Sequence, residues 1–382
     1  MRALEAELRT LYLIAFAGVV AGISLRASTA FSVMSTIKYI AMLTLSFSLG
    51  RAIISFFAPR AVERKGSSVA AFGFLSLSIL SVAYLVVPGN WYWLLRFPHG
   101  MASGISWPAM QALVMGKAKP ENRAKVSSTY FLVGTVATAV GYVLSGFKFI
   151  KPILLSTILF LIISIYLFKH KVEFEKWGKQ SKGKILNISS LSIFLSSFSL
   201  GLLMALINTE ITLAVLYKLV GRTATAILMA LASFGGALLG YFMGRRLLDV
   251  NQSLYSLALP GYLTLLSSSG LLSGNPAVVT GSTMLAQAGM TWWRSANMAL
   301  ARSHKGTGLR LGLDNAGRNL GTTLSSLLLS LGLSIADVIA ISFVTFTLAL
   351  SEAGFSSFIS RWRIHHRLKR FIKLSSMECL GS

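Results

Sequence analysis

The chain has 382 residues, 54% of them hydrophobic and only 13% charged, with a mean hydropathy of +0.67. A soluble domain carries roughly 25% charged residues, so a water-soluble globular fold is excluded, and continuous apolar runs in place of alternating ten-residue segments exclude a β-barrel. The net charge of +24 would ordinarily admit nucleic acid as a partner, but its distribution assigns it to membrane topology instead.

Twelve apolar spans are predicted. The first half supplies 11–33, 36–58, 67–87, 91–116, 124–147 and 152–168, and the second supplies 190–215, 222–244, 253–272, 276–301, 308–332 and 335–358. The expected fold is an all-α polytopic membrane protein with twelve transmembrane helices in two pseudo-symmetric six-helix bundles, residues 1–168 and 188–358. A lysine-rich linker, 169–187, joins them, and a basic tail, 359–382, follows. Of the 36 basic residues, Arg26, Arg51, Arg96, Arg294 and Arg318 lie within spans, and Lys38, Lys148, Lys151, Lys218 and Arg222 lie on one side. The rest fall in the termini and alternate loops of the other side. Basic loops mark the cytoplasm, so a multi-pass protein of the cell membrane with both termini cytoplasmic is expected. The stretch from Arg361 to Arg370 reads as an interfacial anchor on anionic lipid. The single cysteine, Cys379, permits no internal disulfide. Residues 1–9 carry both charge signs and run straight into a full span, so no cleavable signal peptide is expected.

The halves carry traces of a repeat. Gly104-Ile-Ser-Trp107 matches Gly289-Met-Thr-Trp292, Phe57 matches Phe242 and Arg60 matches Arg245, all at an offset of 185. Arg123 matches Arg310, and Gly134-Thr135 matches Gly321-Thr322, at 187. Two six-span copies in the same direction imply a pseudo-twofold along the membrane normal, with a site between the halves near mid-depth.

Span 4 reads Arg96-x-x-His99-Gly100-x-x-x-Gly104-x-x-x-Pro108. This resembles the Arg-x-x-Gln-Gly pattern of the major facilitator superfamily, with His99 in place of the usual Gln. Pro120-Glu-Asn-Arg123 resembles that family's loop between spans 4 and 5. Ala58-Pro-Arg-Ala-Val-Glu-Arg-Lys-Gly66 resembles a degraded form of its Gly-x-x-x-Asp-Arg-x-Gly-Arg-Arg loop, with Glu63-Arg64 standing for Asp-Arg. Gly244-Arg-Arg-Leu-Leu-Asp249, which contains Arg245, is its weaker twin. The resemblance covers residues 10–358 and implies a transporter. It also implies a role for Arg96 in proton coupling or substrate contact, and cavity-facing spans 4 and 10, with Trp107 and Trp292 as walls or as helix packing. Span 5 has Gly134, Gly141 and Gly146 but Tyr142 where the family's antiporter proline would stand.

Charges inside hydrocarbon need a reason to be there. Asp314 and Arg318 are four apart on one helix face, with Asn315 and Asn319 on the adjacent strip. They form either a packing ion pair or a substrate or coupling site. Arg26 and Glu210 occupy matching helices of the two halves and are expected either to meet as an outer gate, beside Asn208, or to snorkel separately. Glu63 and Arg64, with Arg245 and Asp249 as their counterparts, read as a latch or as topology signals. His99 reads as a titrating group or a packed histidine. Arg51 and Arg294 are expected to reach the headgroups.

The chain has no phosphate-binding loop, no metal-ligand cluster and no nucleophile motif, so neither an enzyme nor a bound cofactor is expected. The expected function is a monomeric secondary transporter (a permease) moving a small organic solute by alternating access. Its partners would be that solute, membrane lipid and protons, carried by Asp314, Glu210 or His99, and not nucleic acid. Five membrane arginines lean toward an anionic or polar solute. The alternatives are a hydrophobic-compound exporter and a transporter-like sensor without flux.

Overall fold

The computed structural model describes residues 2–34, 36–119, 122–147, 151–172, 190–207, 210–250, 255–301 and 307–351. Most of the linker, the whole basic tail, Asn208 and the side chains of Arg245 and Asp249 lie outside the described residues. In chain order the helices of the first half are α1 (Arg2–Ser32), α2 (Ile37–Ser55), α3 (Ala58–Lys65), α4 (Ser68–Val86), α5 (Tyr92–Gly116), α6 (Arg123–Gly146) and α7 (Pro152–Lys169). Those of the second are α8 (Ser190–Ile207), α9 (Glu210–Val220), α10 (Arg222–Val250), α11 (Tyr255–Ser268), α12 (Pro276–Ala301), α13 (Thr307–Leu331) and α14 (Ile335–Ser351). With α8 and α9 as one crossing and α3 a short connector, these make twelve membrane crossings in two groups of six.

One feature departs from the expected spans. The connector after α2 is helical: Pro59 starts α3, Ala58, Pro59 and Val62 are buried, and Arg64 and Lys65 are exposed.

Among the described residues, seven stretches are both long and apolar enough to cross a bilayer. The helices α5, α12 and α13 are not among them, although they have 25, 26 and 25 residues. Their lower hydropathy comes from buried polar residues such as Arg96, Gln287 and Asp314. Large exposed apolar side chains occur on α4 (Phe72, Ile79, Val86), α7 (Ile158, Ile162, Ile165) and α10 (Leu231, Phe234, Phe242), and also on α13 (Leu320, Leu327, Leu331). Such a surface suits lipid.

The two halves meet chiefly through α2 with α13 and through α6 with α10. In span numbers these are 2 with 11 and 5 with 8. A pseudo-twofold exchanging spans 1–6 with 7–12 converts one contact into the other, as a repeat requires. Within each half, hydroxyls tie helix to helix. Ser24 donates to the Gly141 carbonyl, Ser156 to Ala21, Ser164 to Ala71 and Thr322 to Gly201. Interhelical bonds of this kind average about 0.6 kcal/mol in membranes, so many small contributions replace the hydrophobic drive available in water.

At Gly104 the α5 backbone lies so close to α2 that a Cβ would sit 2.8 Å from the Arg51 carbonyl oxygen and 3.2 Å from its Cα. Gly134, on α6, has nothing within 4 Å of the corresponding position. Gly104→Val should therefore lower the melting temperature of the detergent-purified protein, by an overpacking cost of about 1–3 kcal/mol. Gly134→Ala should leave it unchanged.

Candidate functional site

A cavity of about 170 Å³ lies between the halves. Its wall comes from α1, α2, α4, α5, α6, α7, α8 and α12. One side is apolar. Trp107 meets Phe74 edge-on at 5.4 Å between ring centroids, and Phe74 stacks on Phe160 at 6.0 Å. Trp107 also closes on Gly18, where a Cβ would come within 2.9 Å of the indole. The other side is polar, with Arg26, Arg51, His99, Gln111, Thr135, Gln287, Thr291 and Arg294.

The end of the cavity farthest from the start of α1 carries a buried ion cluster. Arg26 Nε and Nη2 donate to the two carboxylate oxygens of Glu210 at 3.2 and 2.9 Å. Arg96 Nη2 lies 3.2 Å from Glu210 Oε1, and Thr44 donates to Oε2 at 3.1 Å. Arg96 also donates to the Thr29 hydroxyl at 2.7 Å and to the Arg26 carbonyl at 3.0 Å. Arg96 is 0% and Glu210 2% exposed. Arg26 and Glu210 stand on the matching first crossings of the two halves, 184 residues apart. Arg96 joins them from α5, which the spacing of the first two did not disclose.

At the opposite end, which carries α3 and the start of α13, Glu63 Oε1 accepts from the Gly308 backbone N–H at 2.8 Å. The acid of the short connector thus caps a helix of the other half. Arg64 beside it is exposed. Above this, Arg318 Nη2 donates to Asp314 Oδ2 at 2.9 Å and to Asn315 Oδ1 at 2.7 Å. Asp314 Oδ1 accepts from Ser197 at 2.7 Å and from Asn297 at 3.0 Å. Asn315 donates to Gln111 of α5 at 2.9 Å, and Asn319 to Ser55 of α2 at 3.0 Å. Asp314, Asn315, Arg318 and Asn319 do not line the cavity. Their strip of α13 joins α8 and α12 on one side to α2 and α5 on the other.

His99 reaches the cavity wall, with Nδ1 3.2 Å from the Tyr84 hydroxyl and its ring edge-on to Phe47. Trp107 lines the cavity. Its repeat mate Trp292 is buried outside the wall, and its indole N–H lacks a hydrogen-bond partner among the described residues. One expectation is overturned: Arg51 and Arg294 do not extend to the headgroups but face the cavity with their Nε atoms buried. Helix phase decides this, because each arginine lies on the inward face of its helix at a depth where that face borders open space. Gln287, Thr291 and Arg294 recur at intervals of four and three, one face of α12. That pattern was visible in the sequence but carried no sign of what it faced.

Residues 10–326 match the sequence profile of the Major Facilitator Superfamily. No curated protein is similar to the chain at a significant level. Among solved structures the fold is similar to the crystal structure of the human organic anion transporter MFSD10 (TETRAN), with a TM-score of 0.64 and 12% identity over 92% of this chain and 99% of that one. It is equally similar to a bacterial homologue of the iron transporter ferroportin in an outward-facing state with soaked iron. There the TM-score is 0.64 and the identity 14%, over 90% of this chain and 98% of that one.

Removing one partner from a buried ion pair costs about 3–5 kcal/mol, because the other charge is left uncompensated. Glu210→Ala strands two arginines and should lower the melting temperature sharply. Arg26→Met leaves Arg96 to neutralise Glu210 and should cost less. Equal losses in thermal unfolding would show that Arg96 does not share the carboxylate.

Proposed function

We propose, from the premise that the chain belongs to the major facilitator superfamily, that it is a secondary transporter carrying a small organic solute across the cell membrane by alternating access. The observation that carries this reading is a central cavity between the two halves, with polar contacts from one half to the other toward each end. At one end Glu210 of the second half binds Arg26 and Arg96 of the first. At the other, Glu63 of the first half caps Gly308 of the second, and Asn319 reaches Ser55. Each set is polar and can be broken and remade as rigid bundles rock. If the two open in turn, the cavity faces each side of the membrane alternately.

The proton gradient is the proposed driving force, with Glu210 as carrier. A protonated carboxyl would no longer hold two arginines, so proton uptake favours opening of that end. Both termini are proposed to be cytoplasmic, which makes the Glu210 end the external gate and the Glu63 end the cytoplasmic one.

The test labels a single cysteine in the cavity, Thr135→Cys in a Cys379→Ser background, with a membrane-impermeant maleimide in right-side-out and inside-out vesicles. Labelling is expected from both sides. Glu210→Ala should raise it from the outside, and Glu63→Ala from the cytoplasmic side, each about tenfold, for which a bias of about 1.4 kcal/mol between the two states suffices. Labelling from one side only, in the parent and in both variants, would mean a fixed receptor and not a transporter. Glu210→Gln should keep solute exchange but lose accumulation driven by a pH gradient, measured in proteoliposomes.

A further inference from the structure

We infer that Arg51 and Arg294 form an anion subsite inside the cavity, built for a small organic anion whose carboxylate or phosphonate head lies between the two guanidinium groups and whose apolar part lies toward Trp107. This rests on the reading of the cavity as the solute's compartment.

The five arginines within the spans divide into two kinds. Arg26 and Arg96 share Glu210, and Arg318 is held by Asp314. Arg51 and Arg294 have no carboxylate within 4.0 Å and make no hydrogen bond among the described residues, while the Nε of each is buried. Both line the cavity. The charges near Arg51 are those of Arg318, Arg294 and Arg26, all of its own sign. Arg294 has its Cζ 4.5 Å from the centre of the Phe131 ring. That cation–π contact supports the flat face of the guanidinium and leaves its N–H edge for a ligand.

A second group points the same way. Gln287 is 1% exposed, lines the same cavity, and has neither its amide nitrogen nor its oxygen bonded to a described residue. Two unpaired cations and an unpaired amide around one cavity are costly when nothing satisfies them. An anion can accept from both guanidinium groups and from the Gln287 amide N–H, since guanidinium–carboxylate and guanidinium–phosphoryl pairs form two parallel hydrogen bonds. Trp107 and Phe160, also in the lining, suit the apolar part of such an anion. The volume of about 170 Å³ is close to that of an engineered cavity of roughly 150 Å³ that takes benzene, so the site suits an anion with one ring or its aliphatic equivalent. Arg51 belongs to the first half and Arg294 to the second. A bound anion therefore bridges the halves and favours the state in which both arginines reach it over either open state, which links recognition to the transport cycle.

The probes are benzoate, phenylphosphonate, benzylammonium and benzyl alcohol, each added at millimolar concentration to the full-length protein in detergent during thermal unfolding. Benzoate or phenylphosphonate should raise the midpoint with concentration, and comparison of the two identifies the preferred head group. Benzylammonium and benzyl alcohol should not raise it. Arg51→Gln and Arg294→Gln should each weaken the anion's apparent affinity about tenfold or more, the order expected for losing a charge-assisted pair. Lys218→Gln, an exposed cation away from the cavity, should leave it unchanged. The inference is overturned if neither anion shifts the midpoint, if benzylammonium shifts it as much, or if both arginine variants keep the anion's affinity. Should the variants misfold, the anion–cation comparison on the parent protein still decides. Two-sided labelling of the cavity without anion selectivity would reject this subsite and leave the transporter reading standing. Anion binding with one-sided labelling would do the reverse.

Discussion

An ionised group in hydrocarbon must find an opposite charge, a ligand or water, and the interior of this protein is organised by that requirement. Arg26, Arg51, Arg96, Arg294 and Arg318 point inward, and the carboxylates of Glu210 and Asp314 compensate three of them. Each compensated cluster sits where parts of the fold must be joined. Glu210 draws α1, α2 and α5 of the first half to α9 of the second. Asp314 draws α8 and α12 to α13. The two arginines left over face the cavity between the halves. The same rule that produces cohesion at the ends of the bundle therefore leaves an unsatisfied positive field at its centre.

The repeat explains why these joints occur in pairs. Contacts of span 2 with 11 and of span 5 with 8 are images of one another under the pseudo-twofold, so one packing solution is used twice. The charges do not repeat in the same way. Glu210 stands opposite Arg26, and the polar strip from Asp314 to Asn319, with its acid and arginine, has an uncharged counterpart at Ser127 to Leu132. The contacts of α2 with α13 and of α6 with α10 give the two halves a symmetric frame. The asymmetric side chains on that frame confer polarity, since the two ends are joined by different chemistry: a buried carboxylate with two arginines at one, a helix cap and an amide network at the other.

Much of this was legible along the chain. Hydropathy marked the crossings, including the more polar α5, α12 and α13, which the expected spans 91–116, 276–301 and 308–332 covered. The facing of Arg26 and Glu210 was legible because they stand on the matching first crossings of the two halves. Arg96 was not, since nothing in its spacing from Arg26 shows that α5 brings it to the same carboxylate. The strip Asp314, Asn315, Arg318 and Asn319 was legible as a polar face. Whether that face met solvent or protein was not, because a helical period fixes direction relative to the helix and not relative to its neighbours. Arg51 and Arg294 failed for a related reason. Depth along a span suggested the headgroups, but rotation about the helix axis sent both side chains inward.

By itself, then, the sequence determined the medium, the number of crossings and the duplicated plan. Each of these follows from local properties: hydrocarbon demands long apolar helices, and repeated segments leave repeated residues. Only the tertiary structure decided which charges are paired and which are left open, because pairing at 3 Å depends on the rotation and approach of helices distant in sequence. The Glu210 carboxylate lies 184 residues from Arg26 and 114 from Arg96. Arg51 and Arg294 share a cavity across the boundary between the halves. Such distances are invisible to any local pattern and are set by how the two bundles pack.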